Sequence, residues 1–230
     1  MKQHDGTSTF TDLLLLETLF IQFSNVVCNG YLYHHWFQQV LGEENREAES
    51  VLEGALTAAM AVFDATASEC WSQVVRVIAK ECQVSLAHIR SITQTYRMTN
   101  KPAPVKHSAF VPSILHPLKE MLGGWGSMLS DEKRDKLVTA VGEQVSEAYR
   151  VKAGELLVAV RKLEKTLAKH RRRAVKRIAG TEADVSDADK MCLQLVLDVK
   201  EFGKLLSGVG ADIGSCKAYA LLLTEVTGTD

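Results

Sequence analysis

Apolar residues recur at alternating steps of three and four along most of this chain, the spacing of helices that bury one stripe. Leu56, Met60, Phe63 and Ala67 open one such stripe, and Trp71, Val74 or Val75, and Ile78 extend it. Cys82, Leu86, Ile89 and Thr93 carry it to Tyr96, as one long helix or as two broken near Glu69 or Val84. A second seam runs Val138, Val141, Val145, Tyr149, Ala153, Leu156, Val160, Leu163 and Leu167 behind Ser130, a cap with Asp131 and Glu132 in the first turn. A third runs Ala188, Cys192, Leu195, Val199, Phe202 and Leu206, widened by Met191, Leu193, Val196 and Leu205. Ser186 caps this third helix, and Asp189 stands where a carboxylate can answer the cap's own N–H. Lys204 lies in its last turn and Gly208 and Gly210 supply the stop. A final helix is expected over Asp212 to Thr227, with Ile213, Cys216, Ala220 and Leu223 inward and Tyr219, Leu221 and Leu222 thickening that face.

The remaining segments are connectors or short elements. Ser8 or Thr11 caps a first helix reaching about Asn25, with a break at Asn29-Gly30. Tyr31, Tyr33, Trp36 and Phe37 then cluster on a short helix as core rather than as a base-stacking platform, because no cation lies among them. Glu43 to Glu53 reads as a linker or solvated helical turn. This divides the chain into an N-terminal helical segment, 1–53, and a helical domain, 54–230. Pro102 and Pro104 hold an extended connector after Asn100-Lys101, and Ser108 or Ser113 restarts a helix toward Met121. Leu122-Gly-Gly-Trp-Gly-Ser127 reads as a loop that lacks the context of a phosphate cradle.

Composition adds exclusions. The 230 residues are 46% hydrophobic and 24% charged, with only four prolines, which suits an all-helical globular chain. A net charge of −1 gives no global pull toward nucleic acid or anionic membrane. Five cysteines form no C-x-x-C pair and sit mostly on apolar stripes, so they read as reduced core residues. The run Leu13 to Val27 is short and interrupted by Glu17, Gln22, Ser24 and Asn25, which argues against a spanning helix or a signal peptide.

Catalytic chemistry finds no footing. The seven histidines are scattered, adjacent His34 and His35 lack partners one turn away, and no metal-protease, diphosphate-metal or nucleophile-elbow signature occurs. The reading is a non-enzymatic protein with no cofactor and no metal. The one strongly charged feature is the tract holding Lys165, Lys169, His170, Arg171, Arg172, Arg173, Lys176 and Arg177. It reads as a solvated connector. Alternatively, Lys169, Arg171, Arg172, Arg173, Lys176 and Arg177 form an electrostatic contact for anionic membrane or an acidic partner.

Two stretches carry a resemblance. In the first, Ser186, Asp187, Asp189, Lys190, Leu193, Gln194, Leu195, Leu197, Asp198 and Gly203 follow one another. In the second, the order is Tyr96, Arg97, Thr99, Asn100, Lys101, Pro102, Pro104, His107 and Ser108, then Ser113, Leu115, Pro117 and Leu118. Both resemble the C-terminal region of subunit 2 of the conserved oligomeric Golgi (COG) complex, in its plant-type form, across roughly Leu56 to Thr227. The resemblance implies an all-α, elongated antiparallel helical bundle of the helical-rod type found in tethering complexes. It implies a vesicle-tethering role in intra-Golgi retrograde transport, peripheral to the cytoplasmic face of Golgi membranes. Its implied partners are other COG subunits, SNAREs, Rab GTPases and coiled-coil tethers.

Overall fold

The computed structural model describes residues 46–99, 101–174 and 185–228. The expected helix to Asn25, the Asn29-Gly30 break, the aromatic cluster from Tyr31 to Phe37, Cys28, and Lys176 and Arg177 lie outside these residues. Seven α-helices occur among them: α1 (Arg46–Val84), α2 (Ser91–Tyr96), α3 (Val111–Ile114), α4 (His116–Trp125), α5 (Asp131–Ala174), α6 (Asp187–Gly208) and α7 (Lys217–Thr227). No strand appears among the described residues, and the fold is an all-α helical bundle. The chain divides into two compact units, one up to Val74 and one from Val75.

In the first unit, Leu56, Met60, Phe63, Ala67 and Trp71 are half-buried along α1 while the residues between them are mostly exposed. The anticipated stripe is therefore present. Helix already runs from Arg46, so 46–53 forms its first turns rather than a linker.

The second unit holds the core. From Ser85 to Arg90 the chain tightens into a 3-10 helix and then resumes as α2. Three residues per turn put Leu86, Ile89 and Ile92 on one line, so Ile92 is buried where the α-helical spacing called for Thr93. Of the two break points the spacing allowed, the one at Val84 is used. The segment Leu122 to Ser127, expected as a loop, instead ends α4 and enters a 3-10 turn over Gly126–Met128. Gly123 and Gly124 have open space where a Cβ would sit, so they follow the helix without a packing reason to leave it.

Helices α5, α6 and α7 form the centre. Gly142 lies against Leu206 and Tyr149 against Phe202, so α6 runs antiparallel to α5. Glu143 meets the start of α7 and Arg150 meets Glu225 near its end, so α7 runs alongside α5 in the same direction. On α5, Val138, Val141, Val145, Tyr149, Ala153, Leu156 and Val160 are buried, as the seam required. Ser130 accepts from the Lys133 N–H at 3.4 Å. On α6, Ala188, Met191, Leu195, Val199, Phe202 and Leu206 are buried, Cys192 is half-buried, and Leu193 turns out exposed.

Both ends of α6 are closed by local bonds. Ser186 accepts the Asp189 N–H at 3.1 Å. The Asp189 carboxylate takes the Ser186 hydroxyl at 2.7 Å, not the cap's backbone N–H. At the other end Gly210 adopts φ 96°, and the Ala211 N–H reaches back to the Leu206 carbonyl at 3.0 Å. The Gly210 N–H bonds the Ser207 carbonyl, completing the left-handed stop.

The last helix begins later than expected, at Lys217. Its buried face is Tyr219, Leu222 and Val226 behind Cys216, while Ala220 is exposed, a shift of one residue from the expected face. Glu143 of α5 causes it. Its carboxylate accepts the Lys217 N–H at 2.8 Å and the Ala218 N–H at 2.7 Å, fixing where the first turn starts. Cys82 and Cys216 are buried, Cys70 and Cys192 half-buried, and all four are unpaired thiols. Burial pushes the Cys82 thiol up to about 11.

Candidate functional site

The two stretches that carry the resemblance bind each other. Helix α2 ends at Tyr96 because the chain turns extended at Arg97, and Met98 takes a left-handed φ of 54°. A strap, residues 101–110, then crosses to α3 without regular structure. Prolines 102 and 104 remove two backbone donors from it and favour the extended form.

What holds the turn and strap is a polar line on α6. Lys190, Gln194 and Asp198 recur every four residues beside the apolar seam, and only 3%, 6% and 0% of their surface is exposed. The Tyr96 hydroxyl donates to Gln194 Oε1 at 2.9 Å. Gln194 Nε2 donates to the Lys106 carbonyl and to Asp198 Oδ1, each at 2.9 Å. Ser108 gives its backbone N–H to Asp198 Oδ1 at 2.6 Å and its hydroxyl to Oδ2 at 2.7 Å. One turn before this line, Asp187 Oδ2 accepts the Met98 N–H at 2.8 Å. Ser108 is thereby spent on Asp198 and does not cap a helix; α3 starts behind Phe110 with no side-chain cap.

Burial pushes the Asp198 carboxyl above the ordinary aspartate range. The bonds from Ser108 and Gln194 and the nearby His107 ring pull it back down. The same carboxylate, after burial itself, raises the Tyr96 and Tyr149 hydroxyls. Tyr149, fully enclosed on α5, is the one buried side chain among the described residues whose polar atom has no hydrogen-bond partner.

This cluster positions backbone: its donors and acceptors are taken up by one another and by the strap. Among the described residues no group of three or more His, Cys, Asp or Glu is gathered to hold a metal. No helix among them is long and apolar enough to cross a membrane. Helix α5 continues through Lys169, Arg171, Arg172 and Arg173 to Ala174, so that part of the basic tract is helical rather than a connector. Ahead of these, Arg161, Lys162 and Lys165 are exposed beyond Val160, the last buried position among the side chains described on α5.

The sequence showed the third seam but not the polar line beside it. The four-residue spacing of Lys190, Gln194 and Asp198 was a visible signal, as was the demand of a proline strap for outside hydrogen-bond partners.

Residues 5–199 match the family described as "COG complex component, COG2, C-terminal". The chain belongs to this family. It is 30% identical over 190 residues to conserved oligomeric Golgi complex subunit 2 of Arabidopsis thaliana, covering 80% of this chain and 25% of the relative. It is 26% identical over 176 residues to the Homo sapiens subunit 2, covering 75% and 24%. With the Dictyostelium discoideum subunit 2 it shares 29% identity over 139 residues, 59% of this chain and 15% of that one. The chain thus spans about a quarter or less of the length of these relatives. No solved structure matches it significantly. The family match extends well upstream of Leu56, into the first fifty-odd residues.

Proposed function

We propose that this chain acts as a C-terminal portion of a COG complex subunit 2, a non-enzymatic component of a Golgi vesicle-tethering complex. The observation that carries the reading is the family match over residues 5–199, and the all-helical fold is in keeping with it. In this reading the helices serve assembly. Apolar faces hold α5, α6 and α7 together, and the outer surfaces meet other COG subunits. The wider setting is intra-Golgi retrograde transport, with SNAREs, Rab GTPases and coiled-coil tethers as further partners. The place of action is the cytoplasmic side of Golgi membranes, to which the protein would attach peripherally.

The test is affinity purification of the tagged chain from its native cells, with the other COG subunits followed by immunoblot. Their recovery with the chain supports the reading. A folded chain that recovers none of them would overturn it.

A second reading concerns the basic tract. The continuation of α5 to Ala174, with Arg161, Lys162 and Lys165 exposed along it, supports an electrostatic contact through Lys169, Arg171, Arg172, Arg173, Lys176 and Arg177. Each cation near an anionic bilayer would contribute about 1 kcal/mol. Reversing Arg171, Arg172 and Arg173 to Glu should then abolish sedimentation with phosphatidylserine vesicles. Unchanged sedimentation removes this role.

A further inference from the structure

The turn at Met98 and the strap after it combine features that a mere connector does not need. Met98 adopts a left-handed backbone, uncommon for any residue other than glycine, and its N–H is bonded by Asp187. The residue is 80% exposed. Further along, Val105 is 86% exposed, although its neighbours Ala103 and Pro104 are half-buried. Methionine and valine in these positions bury little of their surface against the described residues.

Charge along the segment has one sign. From Arg97 to Lys119 the sequence contains no Asp or Glu, and Arg97, Lys101 and Lys106 are all exposed. Asp187 and Asp198 reach the turn and strap from α6 behind and are occupied by its backbone and by Ser108. The outward side is therefore cationic and apolar, and the inward side is pinned.

Pinning matters energetically. An extended strand that must be ordered on binding loses conformational freedom at that moment; one already held by prolines and hydrogen bonds does not. Gln194 and Asp198 fix the strap at Lys106 and Ser108, and Asp187 fixes the turn at Met98. Display of apolar and cationic side chains on a pre-ordered backbone is the condition for recognising an acidic segment with apolar residues in it.

We propose that Arg97–Met98 and Lys101–Lys106 form a preformed docking strip for an acidic, apolar-bearing segment of a partner protein. This rests on reading the chain as an assembly module, and it names the surface and the chemistry of one partner contact.

The test places the photoreactive residue p-benzoylphenylalanine at position 98 or 105 of the chain in its native cells. Irradiation is followed by mass spectrometry of the cross-linked peptides. The expected products join these positions to a protein segment in which Asp and Glu outnumber Lys and Arg. Lys101→Glu with Lys106→Glu should lower their yield at least five-fold, whereas Lys200→Glu should not. All three lysines are exposed, so unchanged thermal melting by circular dichroism checks that folding is intact. Cross-links only to lipid, only to a second copy of the chain, or only to basic or neutral segments overturn the proposal. So does an absence of cross-links or a yield that ignores the double reversal. Recovery of COG subunits in the same cells would leave the assembly reading standing even then, so the two failures are distinguishable.

Discussion

Ser108 holds Asp198 at both carboxylate oxygens, through its backbone N–H at 2.6 Å and its hydroxyl at 2.7 Å. Ninety residues of sequence separate the pair, yet these two hydrogen bonds join the proline strap to the middle of α6. The two changes that break it are not equivalent. Asp198→Ala leaves the Ser108 amide and one Gln194 donor without their acceptor in a closed site and should cost about 1–3 kcal/mol. Ser108→Ala keeps the backbone bond and should cost about 1 kcal/mol. Urea unfolding followed by circular dichroism gives both values. Equal costs would contradict the central place given to Asp198.

Two glycines should respond to alanine with opposite signs. A Cβ on Gly203 of α6 would overlap the ring and hydroxyl of Tyr219, so Gly203→Ala should destabilise by about 1–3 kcal/mol. Gly154 of α5 has nothing within reach of its missing Cβ. Gly154→Ala should stabilise by about 0.5–1 kcal/mol through helix propensity. Thermal melts of the two variants make the comparison, and the same sign for both would refute the packing of α7 on α6.

Removing a hydroxyl should matter at one tyrosine and not at the other. Tyr149 carries an enclosed hydroxyl with no partner, so Tyr149→Phe should leave stability unchanged or raise it by about 1 kcal/mol. Tyr96 donates to Gln194, so Tyr96→Phe should lower stability by about 1 kcal/mol. Denaturant midpoints at constant slope decide it.

The pH dependence follows from Asp198. Its folded pKa lies above the ordinary aspartate value, chiefly through burial, so the folded state holds this proton more tightly than the unfolded chain does. The group's contribution is therefore fully present below the unfolded aspartate value of about 3.9 and is lost as pH rises through the higher folded value. Relative to Asp198→Asn, which does not titrate, the natural protein should lose stability as pH climbs from about 3.9 into the next units. Paired urea titrations across that range measure it. A difference that stays flat, or that grows in favour of the natural protein, would show that the hydrogen bonds outweigh burial.

Much of the bundle could be read from spacing alone. Val141, Val145, Tyr149 and Ala153 on α5, and Leu195, Val199, Phe202 and Leu206 on α6, are enclosed because a 3.6-residue period leaves them no other face. Where spacing failed, a neighbour distant in sequence or a tighter coil had intervened. Thr93 gave way to Ile92 after a 3-10 stretch, and the face of α7 moved by one residue because Glu143 sets its start. The strap cluster was half visible. Tyr96, Ser108, Gln194 and Asp198 each stand in one of two separate stretches, and a linear pattern holds no statement that they touch. Lys169 to Arg173 stood out by charge, yet helix through Ala174 could not be foreseen where cations repel one another at every turn.

The carboxylate of Glu143 on the first two N–H groups of α7 also bears on the order in which the chain assembles. A helix of 11 residues nucleates poorly in water when left to itself. Its initiating signal here is borrowed from α5, so the segment 217–227 is expected to stay largely unwound as an isolated peptide and to coil where α5 offers that acidic foothold.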